Sequence, residues 1–340
     1  MDIFENRKDF LPVWFMRQAG RYHSHYQGIK KNSDFMTMCK NPELACEVTL
    51  GPIQDFGFNA AILFSDLLFP LEQLGMGLSY HSGPPTLEWH LEKTEDIKKL
   101  KITSPGKEFY KFQGDACKLL RERLPKDVTL LGFVGAPFTL YTYAVEGSHA
   151  GNLVSAKQGL FDGRFEAFTQ MLMPELLEEM LMQANNGAQA VALFDTAAGE
   201  LCQSDYKELI VPKITALLKA FKEKSPKTKI IYYSKHTQAA HVKSLDLNFI
   251  DVIGVDWRCD LVEIQKLLPP HVFIQGNLDP AWLHLPKDLM LKKASLYYAD
   301  LRERGLDFKR WTAGLGHGVL IQTPEENVRS LVKLIQTQKV

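Results

Sequence analysis

Two arginines four residues apart, Arg17 and Arg21 in "MRQAGR", follow the apolar run "LPVWF" and enclose Gln18, Ala19 and Gly20. Guanidinium forks bind carboxylates or phosphates in bidentate fashion, and a glycine beside them lets backbone N–H groups approach a ligand. This pattern predicts an anion site. Asp66 is an ionisable group inside the apolar stretch "LFSDLLF", where a carboxylate is rare unless it is paired or functional. Asp195 in "LFDTAAG" has the same setting and serves equally as a buried hydrogen-bond acceptor or as a catalytic group. His317 in "GLGHGV" suggests a phosphate loop, but the glycine run does not open a helix directly. The following "TPEE" predicts the helix start, with Thr323 as N-cap, Pro324 in the first turn and Glu326 closing a capping box. Lys235 could form a Schiff base or simply be solvated or ion-paired. His236 and His241 in "HTQAAH" lack the i, i+4 spacing of metal ligands, so no metal site is expected.

These residues share a placement. Eight short β-branched or aromatic runs recur along the chain: "LPVWFM", "NAAILF", "VTLLGFV", "AQAVALF", "TKIIYYS", "FIDVIGV", "HVFIQG" and "RWTAG". Segments of helical periodicity separate them, among them "PELACEVTLGPIQDFG", "FEAFTQMLMPELLEEMLMQANNG" and "DYKELIVPKITALLKAFKEK". Continuous apolar strands alternating with helices imply a parallel sheet covered on both faces. Eight of them predict an α/β fold in which residues 1–340 form a single-domain (β/α)8 TIM barrel. In such a barrel the strand C-termini build the active site. Reading just past each run gives Arg17 and Gln18, Ser65 and Asp66, Gly135 to Pro137, Asp195 and Thr196, Lys235 and His236, Asp256, Asn277 with Asp279, and His317. The arginines would thus stand at the barrel mouth. His81 to Lys101 is long and mixed and is expected to be an excursion from the barrel.

Composition fits a soluble globular protein, with 45% hydrophobic and 24% charged residues. Forty basic residues balance forty acidic ones, which excludes a global field recruiting nucleic acid or an anionic membrane. Five cysteines without a CxxC pair predict a reducing, cytoplasmic setting. "MDIFENRKDF" lacks the apolar core of a signal peptide. The uncharged run Val128 to Val145 is broken by Gly135-Ala136-Pro137, and predicts a buried strand, a turn and an apolar helix start rather than a membrane span.

The blocks "PVWFMRQAGRY", "AAILFSDLL", "GFVGAPFTLYTY", "LFDTAAGEL", "GVDW", "QGNLDP" and "GLGHGV…TPEENV" resemble the uroporphyrinogen decarboxylase family, in its order and over nearly the whole chain. The resemblance implies a cytosolic homodimer of barrels in haem (porphyrin) biosynthesis. Its reaction is removal of CO2 from the four acetate side chains of uroporphyrinogen III to give coproporphyrinogen III, without metal or organic cofactor. Carried over block by block, Arg17, Gln18, Ala19, Gly20 and Arg21 bind substrate carboxylates, and Asp66 faces the pyrrole N–H groups. Phe133, Tyr143, Thr196 and His317 fall on the remaining substrate-contacting positions. Asp66, Arg17, Tyr143 and His317 are the implied catalytic set, with Arg17, His317 or water held by Tyr143 as the alternatives for proton delivery. Phe133 and Phe138 are expected to strip water from the reacting carboxylate. The chain departs from the family pattern at "RYHSHY", Lys30, Phe138 of "APFTL" and "EGSHAGNLVSAK", which bear on the lid and on some carboxylate contacts. The competing barrel enzymes, related cobamide-dependent methyltransferases, carry zinc-binding cysteines where this chain reads "SKHTQ" and "GLGHG". A non-catalytic tetrapyrrole binder would not need the buried aspartate.

Overall fold

The structure, a computed structural model, describes residues 3–4, 9–80 and 84–340. The strands are β1 (Ala60–Ile62), β2 (Leu78–Ser79), β3 (Thr86–Leu87), β4 (Thr129–Gly135), β5 (Ala190–Asp195), β6 (Lys229–Ser234), β7 (Val252–Gly254), β8 (Phe273–Leu278) and β9 (Trp311–Leu315). Seven of them form one parallel sheet in the order β1-β4-β5-β6-β7-β8-β9, while β2 and β3 make a separate antiparallel hairpin. Each strand of the large sheet begins within an apolar run that predicted it, with β4, β5 and β9 extending one residue past the run and β8 two. β5 is buried at every position, as expected of a parallel strand covered on both faces.

The first expected strand, "LPVWFM", is not a full strand. Its only ladder contact with the large sheet is a parallel bridge from Val13 to Ala313 of β9. Ala313 N–H donates to the Pro12 carbonyl at 2.9 Å, Trp14 N–H to Ala313 at 3.3 Å, and Asn59 N–H to Val13 at 2.9 Å. Pro12 has no N–H to give the ladder, and at Arg17 the backbone turns left-handed with φ 59°. Side chains complete the seam. The Asn59 Oδ1 accepts from Val13 N–H at 3.0 Å. The Gln18 amide donates to the Ala60 carbonyl at 3.2 Å and accepts from Ile62 N–H at 3.1 Å. Residues 12–18 therefore close the sheet between β9 and β1 into a barrel.

Trp14, Met16, Leu131, Phe194, Ile231 and Tyr233 belong to the cluster that fills the lumen, and a larger cluster lies between strands and helices. Helix α1 (Pro42–Phe56) begins at an Asn41 cap with Pro42 in its first turn and ends at Gly57, φ 70°, the arrangement these residues favour. The uncharged run resolves into β4 and α2 (Pro137–Glu146). Among the described residues no helix is long and apolar enough to cross a membrane. Helix α3 (Arg164–Asn185) covers β4 and β5. The expected helix from Asp205 is interrupted by a π-helical turn, Tyr206–Ile210, before α4 (Val211–Lys224), a local adjustment that fits the missing N–H of Pro212.

The last helix, α5 (Glu325–Gln336), starts one residue later than "TPEE" predicts. Pro324 is its N-cap with an extended ψ of 123°. The Thr323 hydroxyl donates to the Leu320 carbonyl at 2.8 Å, and the Glu326 carboxylate is held by Lys287 and Arg329 instead of a capping box. The expected excursion, His81 to Lys101, contains β3, which pairs with β2 just before it, and a 3-10 turn at Thr94–Lys99. Its residues 81–83 lie outside the described residues, as do residues 1–2 and 5–8 of the N-terminal stretch.

The seam makes a testable demand. Asn59 is buried, and its Oδ1 also accepts from Gln336. Replacing it leaves the Val13 N–H unpaired, which costs about 2 kcal/mol. Asn59→Ala should lower the urea midpoint accordingly with an unchanged m-value, and a loss below about 0.5 kcal/mol would mean the seam does not rely on this side chain.

Candidate active site

At the C-terminal end of the strands lies a cavity of 420 Å3. Every residue singled out for substrate lines it: Arg17, Gln18, Ala19, Gly20, Arg21, Asp66, Phe133, Tyr143, Thr196 and His317. They come from the seam, from the loops after β1, β5 and β9, from β4 and from α2, so only the closed barrel brings them together.

Arg17 and Arg21 are exposed, and neither is ion-paired among the described residues. The Arg17 stem lies against Gly318, where an added Cβ would sit 2.4 Å from its Cδ. Gly318 is thus needed for space. Gly20 is not crowded, since a Cβ there would meet only the Arg17 carbonyl at 3.5 Å and a Tyr22 ring atom at 3.9 Å. Gln18 lines the cavity, but its amide is committed to the β1 backbone.

Asp66 is only 6% exposed. One carboxylate oxygen accepts from Leu68 N–H at 2.7 Å, and the other accepts from the Tyr80 hydroxyl. Burial raises its pKa above the ordinary carboxylate value, against the opposing pull of the Tyr80 and Leu68 hydrogen bonds. Thr196 presents a buried hydroxyl with no hydrogen-bond partner among the described residues, an open position for a ligand.

His317 accepts the Gly318 N–H on Nδ1 at 2.5 Å. That bond puts the proton of a neutral ring on Nε2. Burial, then Arg17 and Lys235, push its pKa down to about 3. Tyr143, in the last turn of α2, has its hydroxyl 2.6 Å from His149 Nδ1. Burial raises the Tyr143 pKa to about 12, with Arg17 lowering and Asp66 raising it.

One expectation changes and two open readings narrow. Phe138 is fully buried against Phe165 and does not line the cavity. Phe194 takes that place beside Phe133, ring centroids 5.6 Å apart, because β5 projects it into the lumen while Phe138 sits on the core face of α2. Asp195 is fully buried and outside the cavity lining, and accepts from Thr139 at 3.0 Å and Tyr232 at 2.8 Å. Its buried-acceptor role is the one the structure supports, with burial pushing its pKa up to about 6. Lys235 is half-buried behind the rim and likewise outside the lining.

Sequence reasoning missed Tyr80 and His149. Tyr80 follows β2, in a stretch without periodicity. His149 follows the helix-ending Gly147, φ 67°, which reverses the chain toward Tyr143. Among the departures from the family pattern, His23 and His25 turn toward α1, where His23 pairs with Asp55 at 2.7 Å and His25 meets the Glu47 carbonyl at 3.2 Å. Lys30 is exposed outside the lining.

The model of the uroporphyrinogen decarboxylase (URO-D) family matches residues 4–338. A uroporphyrinogen decarboxylase of Pelobacter propionicus is 36% identical over 334 residues, covering 96% of this chain and 94% of the relative. One from Anaeromyxobacter sp. is 35% identical over 340 residues with the same coverage. Among solved structures, a methyltransferase from Methanosarcina mazei aligns with a TM-score of 0.74 at 16% identity, covering 98% of this chain and 95% of its own. A B12-independent methionine synthase from Shewanella sp. W3-18-1 aligns at 0.51 and 11% identity, over 86% and 85% of the two chains. Those two likenesses concern the fold alone. With a match across nearly all of its length and relatives above a third identical, the chain belongs to the uroporphyrinogen decarboxylase family.

Proposed function

We propose that the protein removes CO2 from the four acetate side chains of uroporphyrinogen III, giving coproporphyrinogen III. The observation that carries this reading is a buried carboxylate, Asp66, in the same cavity as two arginines that have no acidic partner among the described residues. The substrate offers both complements: pyrrole N–H donors for the carboxylate and eight peripheral carboxylates for the guanidinium groups.

The chemistry needs an electron sink. Protonating a pyrrole carbon beside the nitrogen creates an iminium-like cation. The C–C bond to the carboxylate then breaks, its electron pair enters the ring, and CO2 leaves. The exocyclic carbon takes up a proton to become a methyl group, and the ring proton is returned. The sum is one proton consumed and one CO2 released per acetate. The Asp66 carboxylate stabilises the cation through the pyrrole N–H groups. A carboxylate has about four lone-pair positions, and Leu68 and Tyr80 use only two of them. N–H donors and a developing cation both favour the ionised form, opposing the burial that raises its pKa.

Arg17 and Arg21 neutralise the carboxylates that do not react. Phe133 and Phe194 give the reacting carboxylate an apolar wall. His317, Thr196 and Tyr143 supply hydrogen-bonding positions, and Arg17, His317 and a water on Tyr143 are the sources from which the ring proton is drawn. Residues 1–340 acting as one catalytic domain, in the cytoplasm, as a homodimer, complete the proposal. Family resemblance and five unpaired cysteines support it. Sedimentation should give a dimer at micromolar concentration.

Incubation with enzymatically generated uroporphyrinogen III under anaerobic conditions should yield coproporphyrin after oxidation and chromatography; absence of product would refute the assignment. Asp66→Asn keeps shape but removes charge, so kcat should fall on the order of a hundredfold or more while KM changes much less. Normal kcat in this variant would rule out cation stabilisation by Asp66. Arg17→Lys should weaken binding as well as turnover, because an ammonium cannot reproduce the bidentate contact.

The histidines give a pH prediction. With its pKa pushed down to about 3, His317 should remain neutral from pH 5 to 8 in the free protein. Removing the nearby cation in Arg17→Met favours the imidazolium, so the pKa should rise, measurable by NMR of labelled histidine. An unchanged or lower value would mean that Arg17 does not act on this ring.

A further inference from the structure

Tyr143 does not stand alone in the cavity. Gly147 ends α2 in the left-handed region, its N–H bonded back to the Tyr143 carbonyl at 2.9 Å. Two residues later the chain has reversed far enough for His149 to return to the Tyr143 side chain. Its Nδ1 lies 2.6 Å from the phenol oxygen, with ring centroids 5.3 Å apart, and both side chains line the cavity. His149 has no other hydrogen bond among the described residues.

We propose that His149 is a positioning residue that sets the direction of the Tyr143 hydroxyl hydrogen, making Tyr143 an acceptor in the empty cavity and a donor once substrate carboxylates are bound. The two states follow from the donors each group has. A neutral imidazole with its proton on Nε2 accepts the phenol O–H on Nδ1, and only the phenol oxygen's lone pairs face the cavity. A protonated ring donates from Nδ1 to the phenol oxygen, which frees the O–H for a carboxylate. One proton gained at Nδ1 therefore reverses the hydrogen bond.

The charges around the ring set when this happens. Burial first, then Lys235 after β6 and Arg17 of the seam, hold His149 down to about 4, with Glu200 after β5 acting the other way and His317 facing it after β9. In the empty cavity the ring is neutral. Substrate carboxylates beside Arg17 offset the cations' part of this and add their own attraction for the imidazolium 2.6 Å from Tyr143, and the ring takes up a proton from solvent. This rests on the polyanionic substrate proposed above. Tyr143 would then donate to a carboxylate only when one is present.

A double-mutant cycle tests the coupling. His149→Phe should lower kcat about tenfold, the effect of losing one oriented hydrogen bond, and Tyr143→Phe should abolish that effect, so that the double variant is no slower than Tyr143→Phe alone. His149→Asn, which can still bond the phenol oxygen, should recover part of the loss. The protonated form is the active one in the complex, so wild-type kcat should decline as pH rises through the raised pKa, and this alkaline limb should vanish in His149→Phe. In the free protein, NMR of labelled histidine should show Tyr143→Phe shifting the His149 ring resonances. Wild-type kinetics in His149→Phe, or a loss that persists undiminished in the Tyr143→Phe background, would overturn the proposal, as would unchanged His149 resonances. If the wild-type protein did not consume uroporphyrinogen at all, the assigned function would fail instead, and the NMR comparison would still decide the Tyr143–His149 contact.

Discussion

The site is organised around one unfavourable placement, a carboxylate held in a low-dielectric cavity. Isolated from water, Asp66 is pulled toward its neutral form. Two hydrogen bonds, from Leu68 N–H and the Tyr80 hydroxyl, oppose that pull without neutralising the charge. An arginine paired directly with Asp66 would have been a stronger support, yet it would have spent both charges on each other. Here the cations and the carboxylate share a cavity while neither Arg17 nor Arg21 is ion-paired among the described residues. A buried carboxylate left with vacant lone pairs can bind N–H donors and strengthen that bond as positive charge develops.

Barrel closure and the cavity lining use the same residues. Residues 12–18 bridge β9 and β1 through a sparse set of backbone bonds and the Gln18 and Asn59 side chains. Arg17 belongs to that segment and Arg21 follows three residues after it. Val319 N–H donates to the Met16 carbonyl at 2.9 Å, so the turn bearing His317 is tied to the segment bearing Arg17. A weakened seam would therefore loosen the cavity before it unfolded the barrel. The left-handed backbone at Arg17 is a further local cost at the site, supported by the seam on one side and the space at Gly318 on the other.

Much of this was legible in the sequence, for identifiable reasons. Parallel strands covered on both faces leave continuous apolar runs, and past the first, second, fourth and eighth runs a polar residue reaches the cavity, whereas Lys235, His236, Asp256, Asn277 and Asp279 past the fifth to seventh do not line it. That rule found Arg17, Asp66, Thr196 and His317. It failed where a strand was held by something other than its own peptides: Pro12 breaks the first ladder, and Gln18 replaces a peptide with a side-chain amide, so a recognition residue by pattern proved also to be a seam residue. Phe138 was misplaced because an apolar helix such as α2 buries most of its faces, and composition does not reveal which face meets the cavity. Asp195 and Asp66 share a local sequence pattern but differ in their partners; Thr139 and Tyr232 arrive from 56 and 37 residues away. Tyr80 and His149 reach the cavity by chain reversals, which carry no periodic signal.

The balance of charge over the chain gains meaning from this arrangement. Forty acidic residues offset forty basic ones, so attraction for a polyanion is confined to the mouth of the barrel, where Arg17 and Arg21 line the cavity and Lys235 stands behind its rim. That cluster has a consequence for the two histidines near it. Each is kept neutral by burial and by the same cations that would hold the substrate. Empty, the cavity therefore limits its own positive charge, which limits repulsion among its cations. Carboxylates bound there offset the cations' share of that restraint but not the burial, and on the proposal above it is the His149 imidazole that then gains a proton. Under that proposal the site's positive charge rises with the negative charge brought to it, a property that a fixed set of lysines in the same places would not have.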